Sequence, residues 1–173
     1  MKALVLILLL SLAVAHVARA DDPCDGFAWD VKIERALFAR EAEQATAGLG
    51  LADAPALAAA TPYALALFPQ EIVQFAVIPG KKTPPAGAHG GLAKAHLAQA
   101  GRYRISVDTP AWIDAVVAGK TVPSEAFQGR PGCNAPHKIV EYELPEGDVV
   151  IQLSVALPDR VRLSITETPR STH

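Results

Sequence analysis

A two-residue hydrophobic alternation recurs through the second half of the chain and constrains the fold more than any other feature. Four segments carry it, at residues 102–108, 138–144, 149–155 and 160–166. Apolar residues take every second position, and polar residues such as Arg104, Ser106, Gln152 and Ser154 lie between them. Alternate side chains of a strand point to opposite faces, so each segment is predicted to be a strand with one buried and one water-facing side. Strands of this kind are typical of antiparallel sheets.

Two more segments complete the predicted sheet. Residues 112–117 lie between Pro110 and Gly119, and residues 71–78 end at Pro79. The connections are short and rich in Pro, Gly and Asp, which favour turns. About six strands at this spacing predict an antiparallel β-sandwich, similar to a jelly roll, over residues 71–168. On its water-facing sides, Arg102 and Arg104 are expected to lie across from Glu141 and Glu143.

The N-terminal part has a different pattern, rich in alanine, and residues 21–68 are predicted to be a helical segment. Asp30 is a suitable N-cap for a helix in which Trp29, Ile33 and Leu37 recur at intervals of four. Residues 79–91 are rich in Pro and Gly, which predicts an irregular loop that is either a linker or a functional loop. The whole chain is therefore assigned to the α+β class. Within the N-terminal part, only short helices are expected after the first one, because prolines interrupt the chain at Pro55, Pro62 and Pro69.

The first twenty residues have the pattern of a secretory signal peptide. Lys2 precedes an apolar run, and Ala18-Arg19-Ala20 is a small-x-small cleavage site before Asp21. We therefore expect a periplasmic or secreted protein. No later segment has the roughly 20 apolar residues of a membrane span. The net charge of −2, with no basic stripe, argues against nucleic acid as a partner.

The chain contains two cysteines, Cys24 and Cys133. In an exported protein a single pair is most simply a disulfide. The alternative, a redox-active thiol pair, normally needs closely spaced cysteines and an activating neighbour. The disulfide would join the start of the mature chain to the loop at residues 120–136.

That loop, predicted to be long and irregular, is the best candidate for a ligand contact, because long loops inside compact domains are often functional. Its candidate residues are Phe127, Arg130 and Asn134. Trp112, just before it, is the fourth candidate, as an exposed platform. The competing interpretation places Trp112 in the core, where large aromatics are more often found.

Catalytic motifs are weak. No serine lies in a Gly-x-Ser-x-Gly turn, so no catalytic residue is predicted. His137 and Glu141 project from the same side of one strand, but four strand residues separate their backbones by about 13 Å. His96 is the third possible ligand. A metal site is therefore not favoured from the residues alone, and no cofactor is predicted.

Several motifs nevertheless resemble those of a known group. They are Cys24-Asp-Gly-Phe-Ala-Trp-Asp, Gly101-Arg-Tyr-Arg-Ile-Ser-Val, Ala111-Trp-Ile-Asp, Ala126-Phe-Gln-Gly and His137-Lys-Ile-Val-Glu-Tyr-Glu-Leu. The group consists of short exported proteobacterial proteins labelled homogentisate 1,2-dioxygenase. The resemblance implies an iron-dependent aromatic-ring dioxygenase, with His137, Glu141 and His96 as the residues available to hold the iron. The strand pattern is also similar to small modules of secreted peptidases, which implies an accessory or inhibitory role beside a secreted enzyme.

Taken together, the residues favour a non-catalytic periplasmic binding or envelope-associated protein. Its expected partner is an envelope protein, a secreted protein or a small ligand. The dioxygenase and the accessory module are the alternatives.

Overall fold

The alternating segments form central strands of a two-layer sandwich in the computed structural model, which describes residues 22–81 and 83–168. Sheet A contains, in spatial order, β1 (Glu43–Thr46), β3 (Tyr63–Ala66), β12 (Arg160–Glu167), β6 (Gly101–Val107), β10 (Lys138–Leu144) and β9 (Ala126–Gly129). Sheet B contains β2 (Ala56–Leu57), β5 (His89–Leu97), β11 (Gly147–Ala156), β7 (Trp112–Val117) and β8 (Lys120–Val122), with β4 (Phe68–Pro69) also paired to β5. All strand pairs are antiparallel except β1 with β3 and β2 with β5.

One hydrophobic core fills the space between the sheets. Sheet A contributes fully buried residues such as Ile105 and Leu163, and sheet B contributes Ile151 and Leu153. The α+β class and the sandwich are therefore confirmed. The described residues form twelve strands, so the expected number of about six is too low.

The predicted N-terminal helix is confirmed in a shorter form. A 3-10 helix at Pro23–Gly26 precedes α1 (Lys32–Phe38). Asp30 Oδ1 accepts a hydrogen bond from the Lys32 backbone N–H at 3.1 Å, close to the capping role expected of it. Leu37 is buried as predicted, whereas Ile33 is 49% exposed.

The helical assignment of residues 21–68 is wrong beyond Phe38, because this part of the chain contains β1 to β4. Helix propensity is a weak preference that strand pairing overrides when a sheet edge is available. Prolines at 55, 62 and 69 also interrupt any long helix. One of the alanines in this part of the chain, Ala47, instead packs directly against Gly91 of β5.

The strand predicted at residues 71–78 is also wrong. The chain forms a 3-10 helix at Gln70–Ile72 and then crosses the outer face of sheet B without a strand partner. Its backbone is satisfied elsewhere: the N–H of Gln74 donates to the Leu49 carbonyl at 2.7 Å, and that of Val77 donates to Gln152 Oε1 at 3.3 Å. We call residues 70–80 the crossing segment.

Two loop predictions need narrower bounds. The Pro- and Gly-rich loop ends at Ala88, because Gly90 and Gly91 belong to β5. A side chain at Gly91 would collide with Ala47, so glycine is required there for close packing. Residues 120–136 are not irregular throughout, since they contain β8 and β9.

The prediction that each strand has a water-facing side is wrong for its central residues. Ser106, Ser154, Ser164 and Gln152 are all fully buried. Residues 22–40, which we call the N-terminal segment, cover the outer face of sheet A, and the crossing segment covers that of sheet B. The polar side chains at the centres of these strands therefore lie beneath a covering segment and do not face water.

The disulfide between Cys24 and Cys133 is confirmed, with a sequence separation of 109. It joins the start of the N-terminal segment to the chain just after β9. Both cysteines are buried. The disulfide therefore fastens the covering layer to the edge of sheet A.

Candidate ligand-binding site

Two adjoining cavities share three lining residues, Trp112, Phe127 and Lys138, and we call them together the Trp112–Phe127 cleft. Their volumes are about 300 and 150 Å³. The remaining lining residues are Lys81, Pro110, Ala111, Ile113, Ser124, Gly129, His137, Val140, Tyr142 and Val155. Two of the four residues predicted as ligand contacts, Trp112 and Phe127, thus lie in one site.

Strand ends and a sheet edge place these side chains. Trp112 is the first residue of β7, and Lys138 is the first residue of β10. Phe127 lies on the edge strand β9, directly opposite Val140. The side chain of Phe127 is 69% exposed, and Trp112 is 37% exposed. Large aromatics left this accessible beside a cavity are available for a ligand.

A buried carboxylate fixes the indole from behind. Asp114 Oδ1 accepts a hydrogen bond from Trp112 Nε1 at 2.9 Å. Its Oδ2 accepts from the backbone N–H of Gly80 at 3.1 Å and from Gln152 Nε2 at 3.3 Å. Gly80 lies so close that a side chain there would contact the indole nitrogen at 2.7 Å. The crossing segment therefore holds Trp112 in one orientation.

Lys138 gives the cleft a positive charge in partly apolar surroundings. Its Nζ donates to the Ala111 carbonyl at 2.9 Å and lies 5.3 Å from the centre of the Trp112 ring. Burial lowers the pKa of Lys138, and the negative charge of Asp114 partly opposes this. An ammonium group held among apolar atoms is a strong partner for an anion, because it has lost part of its hydration.

Sequence reasoning missed Lys138 and Asp114, although a signal for each was present. Lys138 shares the inward side of its strand with Val140 and Tyr142, where alternation predicts an apolar residue. Asp114 is the one acidic residue in the strand that begins at Trp112. A charged residue that breaks an apolar pattern often marks a functional position.

The other two predicted contacts, Arg130 and Asn134, do not line the cleft. The guanidinium of Arg130 lies against Gly26 in the N-terminal segment. Asn134 is exposed beside the disulfide residue Cys133. Both residues therefore belong to the region where the disulfide joins the covering layer to the sheet.

The three residues considered for iron have separate partners. His96 Nδ1 lies 2.8 Å from Asp148 Oδ1 on sheet B. Glu141 accepts from Arg104 Nε at 3.0 Å on sheet A. His137 Nδ1 lies 3.1 Å from the Cys133 carbonyl. Over residues 22–81 and 83–168, no three His, Cys, Asp or Glu side chains are grouped closely enough to hold a metal ion.

A second polar cluster, formed by Arg104, Glu141, Glu34 and Thr166, lies under the N-terminal segment, and the sequence predicted only part of it. Arg104 lies opposite Glu141 and Arg102 opposite Glu143, as predicted. The sequence did not indicate that Glu34 of α1 would join them, with its Oε1 3.4 Å from Arg104 Nη1 and 3.1 Å from Thr166 Oγ1. Glu34 is 2% exposed, so this is an ion pair inside the covering layer.

None of the helices in the described part of the chain has the length and apolar character needed to cross a membrane. The disulfide is typical of proteins in an oxidising compartment. No protein-family model and no curated protein matches this chain.

Proposed function

We propose that the protein is an exported, non-catalytic binding module that holds a small ligand with a flat apolar body in the Trp112–Phe127 cleft. The observation that carries this proposal is the pair of accessible aromatic side chains around one cavity, one of them fixed by Asp114. A fixed platform favours binding because little conformational freedom is lost when the ligand arrives.

The cellular location proposed with it is the periplasm or the outside of the cell. The signal-like sequence at residues 1–20 lies outside the described residues, and the Cys24–Cys133 disulfide supports the same location. In this location the module would capture a ligand in the cell envelope or beyond it.

A neutral fluorescent probe tests the cleft. Phenylnaphthylamine is apolar and uncharged, carries a flat naphthalene ring system, and its emission rises when it leaves water. We expect saturable binding to the wild type and a loss of about tenfold or more in affinity for Trp112→Ala and for Phe127→Ala, because each variant removes an aromatic contact surface. Leu157→Ala is the matched control, because Leu157 is 62% exposed and does not line the cleft.

Equal affinities for Trp112→Ala, Phe127→Ala and Leu157→Ala would overturn the proposal. Thermal unfolding of each variant, followed by circular dichroism, verifies that a lost signal reflects a lost contact and not an unfolded protein.

A further inference from the structure

We propose that the Trp112–Phe127 cleft selects flat apolar ligands that carry an anionic group, and that Lys138 is the residue that contacts the anion. This inference rests on the proposed function and adds the chemical class of the ligand.

Lys138 has unused hydrogen-bonding capacity. Within the part of the chain that the structure describes, the acceptor of its Nζ is the Ala111 carbonyl at 2.9 Å. An ammonium group carries three donors, so two remain for a ligand. The same group lies over the face of Trp112, so an anion bound to it would bring an attached flat body next to the indole.

The lining of the cleft is positive. Lys81 lines the larger cavity together with Lys138, and neither cavity has an Asp or Glu among its described lining residues. The acid that acts on Lys138 is Asp114, which is only 5% exposed. Both of its carboxylate oxygens already accept hydrogen bonds from Trp112, Gly80 and Gln152. A ligand in the cleft therefore meets cations.

Partial burial makes the lysine selective. Charges interact more strongly where less water screens them, and charge-assisted hydrogen bonds exceed neutral ones. The lowered pKa of Lys138 agrees with this, because burial without a full counter-charge disfavours the ammonium form. An anionic ligand would supply that counter-charge, whereas a neutral ligand would leave the lysine unpaired.

Two probes that differ by one sulfonate group test this step. Anilinonaphthalene sulfonate has the ring system of phenylnaphthylamine with one added sulfonate. We expect the wild type to bind the sulfonate more tightly than the neutral probe. Lys138→Met, which keeps an apolar stem of similar length, should lose about tenfold or more in affinity for the sulfonate, the usual effect of losing a hydrogen bond to a charged group. Its affinity for the neutral probe should stay within about threefold.

Two further variants control for charge and folding. Lys138→Arg keeps the positive charge and should retain the preference for the sulfonate. Lys32→Met removes one positive charge from a side chain that is 89% exposed and paired only with Asp30 among the described residues. It should leave both affinities unchanged, so any effect of overall charge would be visible.

The possible failures are distinguishable. If the neutral probe binds through Trp112 but Lys138→Met has the wild-type affinity for the sulfonate, the anion inference is overturned and the binding module stands. If Lys32→Met weakens the sulfonate as much as Lys138→Met does, the anion inference is likewise overturned. If neither probe depends on Trp112 or Phe127, both proposals are overturned.

Discussion

Replacing Arg104 by methionine should destabilise the protein far more than the same replacement at Arg102, two residues along the same strand. The Arg104 side chain is 14% exposed and lies between Glu34 and Glu141, whose side chains are 3% and 9% exposed. It also lies 4.7 Å from the centre of the Trp29 ring and donates to the Asp30 carbonyl at 2.9 Å. The Arg102 side chain is 54% exposed.

The expected loss in the free energy of unfolding depends on whether each variant leaves a buried carboxylate without its cation. Arg104→Met removes the cation from between two buried carboxylates, and breaking a buried pair in this way costs about 3–5 kcal/mol. Arg102→Met removes contacts of 3.5 Å to Glu141 and 3.7 Å to Glu143. Because Arg102 is solvated, that loss should be at most about 1 kcal/mol.

Equilibrium urea unfolding followed by circular dichroism measures the difference. With a urea dependence of about 2 kcal/mol per molar, Arg104→Met should lower the unfolding midpoint by roughly 2 M, and Arg102→Met by less than about 0.5 M. Adding Glu34→Gln to Arg104→Met should restore part of the loss, because one uncompensated charge is then gone. Equal midpoints for the two arginine variants would refute the view that Glu34 and Arg104 form an ion pair inside a covered layer.

Two further predictions concern Asp108 and Val155. Burial raises the pKa of Asp108 from its ordinary 3.8, against the opposing effects of Arg162 and His137. Its ionised form therefore costs stability, and this cost should shrink as the pH falls through the folded-state pKa of Asp108. Asp108→Asn keeps an acceptor for the Arg162 N–H, so urea unfolding should show it to be more stable than wild type at pH 7. This advantage should disappear below the unfolded-state pKa of about 3.9, and a constant difference at all pH values would contradict the argument. Val155, at the bulge of β11, has a φ of 61°, which a β-branched residue rarely adopts. Val155→Gly should raise the free energy of unfolding by about 1 kcal/mol relative to Val155→Ala, as measured by thermal melting, and a less stable glycine variant would disprove the strain.

The sandwich was predictable where one face of a strand is apolar and the other polar. β10 has the predicted bounds, and its glutamates lie across from Arg102 and Arg104 as predicted. β7 also has the predicted bounds, but these came from Pro110 and Gly119 on either side of it and not from alternation. β5 was missed for the opposite reason. Leu92 and Ala93 are both buried although they point to opposite faces, so the alternation disappears, and Gly90 and Gly91 resemble a loop.

The covering layers could not be predicted from the strands themselves. Serines and Gln152 at alternate positions normally indicate water. Only the three-dimensional paths of the N-terminal segment over sheet A and the crossing segment over sheet B show that these residues are buried. Trp112 and Phe127 could be named as candidates from the sequence because they lie just before and within the segment predicted to be a long loop. A buried Trp112 was the competing interpretation. Lys138 and Trp112 meet because β7 and β10 begin close together in space. The two residues are 26 positions apart in the sequence, so no local pattern indicates this contact.

The N-terminal segment also has a consequence for the order in which the fold can close. Glu34 is bonded to Thr166, 132 residues later, and Cys24 is bonded to Cys133. In a chain that emerges from its N-terminus, residues 22–40 therefore cannot reach their final contacts until almost the whole length of the chain is present. During that interval Leu37 and Phe38 have no sheet to cover, and an unpaired Cys24 is open to other thiols. The last strand to emerge, β12, is thus the one that allows the first helix to reach its final place.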